Sequence, residues 1–177
     1  MPSGKTHDAI TLVLAAPAFA ATYMYSRGIA AALLVTAAFI FGGLMFGPDL
    51  DTISRQYSRW FVIRPLWFPY RMCFKHRSRF SHGLVFGALF RVIYFMGILT
   101  LAVLAVAALA ATYVGRHFPQ LSDIAHAWQP VGDFTRANFG EHFLLLSFIG
   151  LWLGAASHTL TDIAGTFIRS GKRAKLF

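Results

Sequence analysis

Residues 28–47, Gly28 to Gly47, read GIAAALLVTAAFIFGGLMFG and carry no charged side chain. Crossing the hydrocarbon core of a bilayer takes about 20 mostly apolar residues in a helix, so this stretch predicts a transmembrane helix. Residues 84–114 are longer and uncharged from Val92 onward. Arg91, in the first turns of that stretch, is expected to snorkel to the interface. Ala9 to Tyr25 is a shorter apolar run interrupted by Pro17, and Phe143 to Ser157 can continue helically through His158, Asp162 and Ile168. The fold expected is all-α: an integral membrane bundle of four transmembrane helices at about 8–26, 28–48, 82–114 and 141–168. It forms one membrane domain over 1–177, with a basic loop at 52–81 and a polar loop at 115–140. Lys5, the apolar run and Ala18-Phe19-Ala20 also imitate a secretory signal peptide; the segment is expected to stay as a spanning helix.

Composition supports this. The chain of 177 residues is 56% hydrophobic and 13% charged, against about 25% charged for a soluble domain. A surface that poor in charge is not a soluble monomer's, and the hydrophobicity excludes a disordered chain. The net charge of +9 would suggest nucleic acid in a soluble protein, but its distribution follows topology. Arg55, Arg59, Arg64, Arg71, Lys75, Arg77 and Arg79 lie between the second and third helices, and Arg169, Lys172, Arg173 and Lys175 follow the fourth. Loops rich in Lys and Arg are cytoplasmic. Both termini and the 52–81 loop are therefore expected in the cytoplasm of a bacterial inner membrane, with lipids as partners and no nucleic acid. The marginal first and fourth helices suggest a homo-oligomer. The single cysteine, Cys73, excludes an intrachain disulfide and a thiolate zinc site.

Seven carboxylates in the whole chain make each position informative. Asp8 opens the first helix, Asp49 and Asp51 close the second in Gly47-Pro48-Asp49-Leu50-Asp51, and Asp162 ends the fourth. His7, His76, His82 and His158 are predicted at the same membrane boundary. Thr6 and Ser81 are expected to cap the first and third helices, placing His7 and His82 in first turns. His158 and Asp162 are an i, i+4 pair on one helix face. Each feature alone fits a cap or an interfacial residue, and His117, His126 and His142 are read that way. Ionisable groups at a membrane boundary are costly and mark function, and eight converge on one face. Imidazole and carboxylate ligands without thiolate suit zinc, manganese or iron(II). The expected metal ligands are His7, Asp49, Asp51, His76, His82, His158 and Asp162, holding two or more divalent ions. Asp51 and His82 are expected to act in catalysis, with Arg77, Arg79 and Arg55 offsetting phosphate charge. Asp8 is left as a ligand, a partner to His7 or a helix N-terminal charge.

These residues carry a resemblance. Pro2-Ser3-Gly4-Lys5-Thr6-His7-Asp8, Gly47-Pro48-Asp49-Leu50-Asp51 with Ser54-Arg55-Gln56-Tyr57, His76-Arg77-Ser78-Arg79-Phe80-Ser81-His82-Gly83 and Ser157-His158-x-x-x-Asp162 resemble a family of bacterial metal-binding membrane proteins best known from cyanobacteria. More distantly they are similar to YdjM-like inner-membrane metal-dependent hydrolases, and through His158-x-x-x-Asp162 to zinc-dependent phospholipase C. The resemblance implies metal binding and suggests hydrolysis. With a site at headgroup level, the expected activity is hydrolysis of a lipid phosphoester, by phosphatase or phospholipase C chemistry. The alternative is a non-catalytic metal-binding or metal-transport membrane protein.

Overall fold

A computed structural model of the chain describes residues 3–74, 78–114, 120, 122, 123, 126 and 128–170. Among them every regular element is helical: α1 (Gly4–Ser26), α2 (Ile29–Leu44), α3 (Arg55–Ser58), α4 (Phe68–Cys73), α5 (Arg79–His82), α6 (Phe86–Val114), α7 (Gln129–Phe139) and α8 (Phe143–Ser170), with 3-10 turns at Pro48–Asp51 and Phe61–Trp67. Four segments are long and apolar enough to cross a membrane: Gly4–Ser26, Ile29–Asp51, Phe86–Tyr113 and Phe143–Ile168. The chain divides into two compact units, one of residues 1–91 and 145–177 and one of 92–144.

In the first unit, α1 begins earlier than the apolar run suggests. Ser3, not Thr6, is the N-cap, its hydroxyl accepting from the Thr6 amide. His7, now in the second turn rather than the first, faces inward and is 5% exposed. Arg27 closes α1 in the left-handed conformation (φ 53°) and returns its amide to the Tyr23 carbonyl, so α2 doubles back along α1. At its end α2 stops for a definite reason: Pro48 cannot donate into the helix ladder, and Pro48–Asp51 tightens into a 3-10 turn.

Within the 52–81 connection, residues 52–74 are not a free basic loop. They fold over the end of α2 on an aromatic cluster in which Trp67 and Tyr70 are fully buried and stand edge to face, ring centroids 5.7 Å apart. Trp60 meets Trp67 at 5.1 Å and donates its indole N–H to the Met45 carbonyl. Burial of such rings is the largest apolar contribution available to a segment this short.

On its other side α2 meets α8 with no room for side chains. A Cβ at Gly42 would collide with the Leu151 backbone, one at Gly150 with the Val35 carbonyl, and one at Gly154 with Phe39 and Gly43. Gly150-x-x-x-Gly154 thus gives α8 the small-residue face that apolar helices use to approach closely. His158 lies one turn beyond Gly154 on that same helix. In the second unit, Trp128 precedes α7 and donates to the Thr100 hydroxyl of α6 at 3.1 Å, and His126 and His142 are exposed.

Candidate metal centre

α1, the 48–51 turn, α5 and α8 each bring acid or imidazole to one place. His7 and His158 stack with ring centroids 3.8 Å apart and planes 10° from parallel. His7 Nε2 lies 3.3 Å from Asp162 Oδ1; His158 Nε2 lies 3.3 Å from Asp49 Oδ2 and 3.9 Å from Asp162 Oδ2. The i, i+4 spacing in α8 therefore serves as expected to put imidazole and carboxylate side by side. The other oxygen of Asp49 faces His82, with Oδ1 3.5 Å from Nε2, while His82 Nδ1 lies 3.6 Å from Asp51 Oδ2. One imidazole is set between the two carboxylates of the 3-10 turn.

These separations are long for hydrogen bonds, whose N–H···O mode is about 2.9–3.0 Å. They suit atoms sharing an ion: ligands about 2.0–2.2 Å from a tetrahedral metal stand about 3.3–3.6 Å from one another. Consistently, His158 Nε2, Asp49 Oδ1 and both carboxylate oxygens of Asp162 are buried without a hydrogen-bond partner. Polar atoms buried in that way are costly unless something pairs them, and a divalent cation is what this donor set fits. The ligand atoms of His7, His158 and Asp162 lie within 4.8 Å of one another.

Behind the donors stands a supporting layer. Gln56 is buried; its amide nitrogen donates to the Gly43 carbonyl at 2.7 Å and sits 3.2 Å from His158 Nδ1, while its oxygen accepts from the Asp49 amide at 3.2 Å. One carboxamide thus ties the end of α2, the 48–51 turn and α8, and leaves His158 Nε2 as the nitrogen facing the carboxylates. Ser54 holds the turn from the other side, donating its hydroxyl to the Asp49 carbonyl at 2.7 Å. Arg91 departs from expectation. It does not snorkel but is 2% exposed, donates to the Ser81 carbonyl at 2.6 Å and is drawn electrostatically to Tyr70, Asp51 and Asp49. It supplies positive charge behind an acid-rich site. Burial pushes the Tyr70 phenol above its ordinary range, opposed by the charge of Arg91.

Six of the expected ligands come together: His7, Asp49, Asp51, His82, His158 and Asp162. His76 and Arg77 lie outside the described residues, as does the side chain of Arg79. Asp8 takes none of the roles foreseen for it. Its carboxylate is held by Arg59 at 2.9 and 2.6 Å in a two-pronged pair and by Arg55 at 3.2 Å. Arg55 is thereby engaged with Asp8 rather than free for phosphate. Ser81 does not cap the third long helix: it sits inside α5 with His82, the cap being Ser78, whose hydroxyl accepts from the Ser81 amide. Sequence reasoning assigned no role to Gln56, although it lies in one of the quoted motifs, and missed Gly150-x-x-x-Gly154, whose spacing is its signal.

Comparison with known proteins adds one finding. A family model described as "uncharacterized metal-binding protein (DUF2227)" matches residues 2–172. No curated protein and no solved structure matches the chain, so the more distant likeness to YdjM-like hydrolases and phospholipase C gains no support. With the match covering nearly its whole length and a buried His/Asp cluster at its centre, the chain belongs to the DUF2227 family of metal-binding proteins.

Proposed function

We propose that the protein is a multi-pass protein of the bacterial inner membrane that holds two divalent ions, zinc foremost, at the cytoplasmic headgroup level and hydrolyses a lipid phosphoester with them. The observation that carries this reading is the position of Asp49. Its two oxygens face different imidazoles, Oδ2 toward His158 and Oδ1 toward His82, so that one carboxylate could serve an ion on either side. His7, His158 and Asp162 complete one set of donors; on the other side the donor is His82 Nε2, with Asp51 facing its Nδ1 and fixing the ring. Ions held by these residues would supply a clamp for a phosphoryl group and a bound water whose pKa is lowered toward about 7. The protein's own part is to hold the donors fixed through Gln56, to balance their charge through Arg91, and to leave Asp49 as the more accessible carboxylate. Its side chain is 23% exposed, against 14% for Asp162 and 0% for Asp51. The basic 52–81 segment and C-terminal tail support a cytoplasmic site.

A second reading rests on the complete burial of the Asp51 side chain and on the joining of α1, the 48–51 turn, α5 and α8 at one point. A metal there would staple the fold, as closed structural sites do, and the protein would bind metal without catalysis. Elemental analysis of purified protein comes first, with about two transition-metal ions per chain expected for the bridged arrangement. Headgroup or phosphate release from a panel of phospholipids and lipid phosphates then separates the readings. Catalysis predicts release that His82→Ala and Asp51→Ala abolish; metal-replete protein that releases nothing from any lipid leaves the staple.

A further inference from the structure

α8 packs against α2 on its glycine face, but toward α1 it leaves an open groove of about 700 Å³. Leu14 and Pro17 of α1 form one wall, Leu160 and Ala164 of α8 the other, and Phe39 of α2 the floor. The lining is almost wholly apolar. It follows α8 from Leu153 to Ile168, about 22 Å at a helical rise of 1.5 Å per residue. The metal centre lies along its course: Thr6 and Thr161 line the groove beside His7 and Asp162, whose 3.3 Å contact joins the two walls, and the lining continues from there to Ala18 and Leu153.

We infer that this groove seats one acyl chain of a membrane lipid and so delivers the lipid's phosphoester to the ions; the inference rests on the hydrolytic reading above and specifies its substrate as an acylated amphiphile. Three observations select that occupant. Both walls belong to helices long and apolar enough to span a bilayer, so the groove opens on hydrocarbon. It passes the polar, acid-rich centre at Thr6 and Thr161 and is almost wholly apolar from there to Ala18 and Leu153, which matches the polarity of a lipid. Small residues, Ala18 on α1 and Ala164 and Gly165 on α8, leave the groove open where larger side chains would fill it.

Moving a tail from bulk lipid into an apolar groove gains little hydrophobic free energy, since lipid tails are as apolar as the walls. The groove therefore acts through orientation. It holds the ester at one depth and angle against the site, and misplacement by about 1 Å can cost about 100-fold in rate. Its loss should lower turnover of a long-chain lipid and leave a small soluble phosphoester unaffected.

The test uses the full-length metal-loaded protein in phosphatidylcholine vesicles containing a phospholipid with a photoactivatable group midway along one acyl chain. Labelled peptides should be enriched about tenfold, the ratio given by a modest preference, at α1 and α8 groove residues over the exposed face of α6 around Leu101 and Val106. Ala164→Trp, and independently Ala18→Phe near the deep end, should return labelling to the level of α6 without changing metal content. Each should slow lipid turnover about 10- to 100-fold and leave p-nitrophenyl phosphate turnover intact. Uniform labelling around the helices, labelling unmoved by either substitution, or crosslinks joining two copies through groove residues would overturn the inference. A protein that hydrolyses neither substrate yet shows enriched labelling refutes the hydrolytic reading alone, and the lipid seat stands.

Discussion

Asp8 and Asp49 are both aspartates at helix ends near the same face, yet their partners divide them. Asp8 faces two guanidinium groups, Asp49 two imidazoles. The Asp8–Arg59 pair is partly buried, so its rupture belongs between the small effect of an exposed pair and the 3–5 kcal/mol of a fully buried one. Asp8→Asn should cost about 2 kcal/mol of stability while metal content in the folded protein stays at the unsubstituted level; a chelator titration that finds weaker metal binding would return Asp8 to the ligand set. Gln56 predicts the converse. Gln56→Leu strands the Gly43 carbonyl and the Asp49 amide and frees the His158 ring to turn. Residues that orient metal ligands typically contribute 10- to 100-fold in affinity, so competition with a chromophoric chelator should show about that loss in protein that still folds. Affinity equal to that of the unsubstituted chain would mean the carboxamide only packs.

At the scale of elements, the decisive contact is that of α2 with α8, because it sets the distance between the end of one helix, carrying Asp49, and the last turns of the other, carrying His158 and Asp162. Gly154→Ala places a methyl against the Phe39 carbonyl, and overpacking of backbone costs about 1–3 kcal/mol or more. Both thermal stability and metal content should fall together. Gly97→Ala in α6, where a Cβ meets nothing within 4 Å, is the control: it should stabilise by about 0.5–1 kcal/mol through helix propensity and leave metal content alone. If Gly154→Ala retains its metal, the helix contact does not position the site. The long helices were legible in the sequence because twenty uncharged residues admit few other structures. Boundaries were less so: Ser3 and Thr6 are both good caps, and the choice falls to whichever rotation buries His7. The 52–81 segment misled for a physical reason. Its seven basic residues mark topology, but Trp60, Trp67 and Tyr70 among them make a folded cover, and periodicity over so short a stretch does not reveal tertiary packing. Arg91 was misread in the same way, since nothing local says that acids wait behind it.

For the whole molecule, the few charged side chains bear on two predictions, the topology expected of its four apolar helices and the response of its centre to protons. Carboxylate and imidazole bind metal only when deprotonated. Apparent affinity should therefore rise with pH and metal should be lost on acidification, with protons released into weakly buffered solution as metal is added. Affinity that does not fall as the pH is lowered through the ordinary imidazole range, about 6.5, would exclude the imidazoles as ligands. The His/Asp cluster was legible as a set because a chain with seven carboxylates has few reasons to place four at the ends of apolar helices; how those four divide, three to the imidazoles and one to Arg55 and Arg59, depends on contacts over long sequence separations that spacing does not encode. The convergence itself requires that the ends of α1, α2 and α8 that carry the site lie at one membrane face. Reporter fusions after residue 177 and within 116–141 should then give opposite signals, the former cytoplasmic, since one spanning helix separates them and the basic segments select the side. Equal signals would place the C-terminal end of α8 and the 116–141 connection on one face. α8 could not then cross the membrane, and a site formed between α8 and the end of α2 would have to be reached from within a helix lying in the interface, where the groove beside it would face headgroups instead of acyl chains.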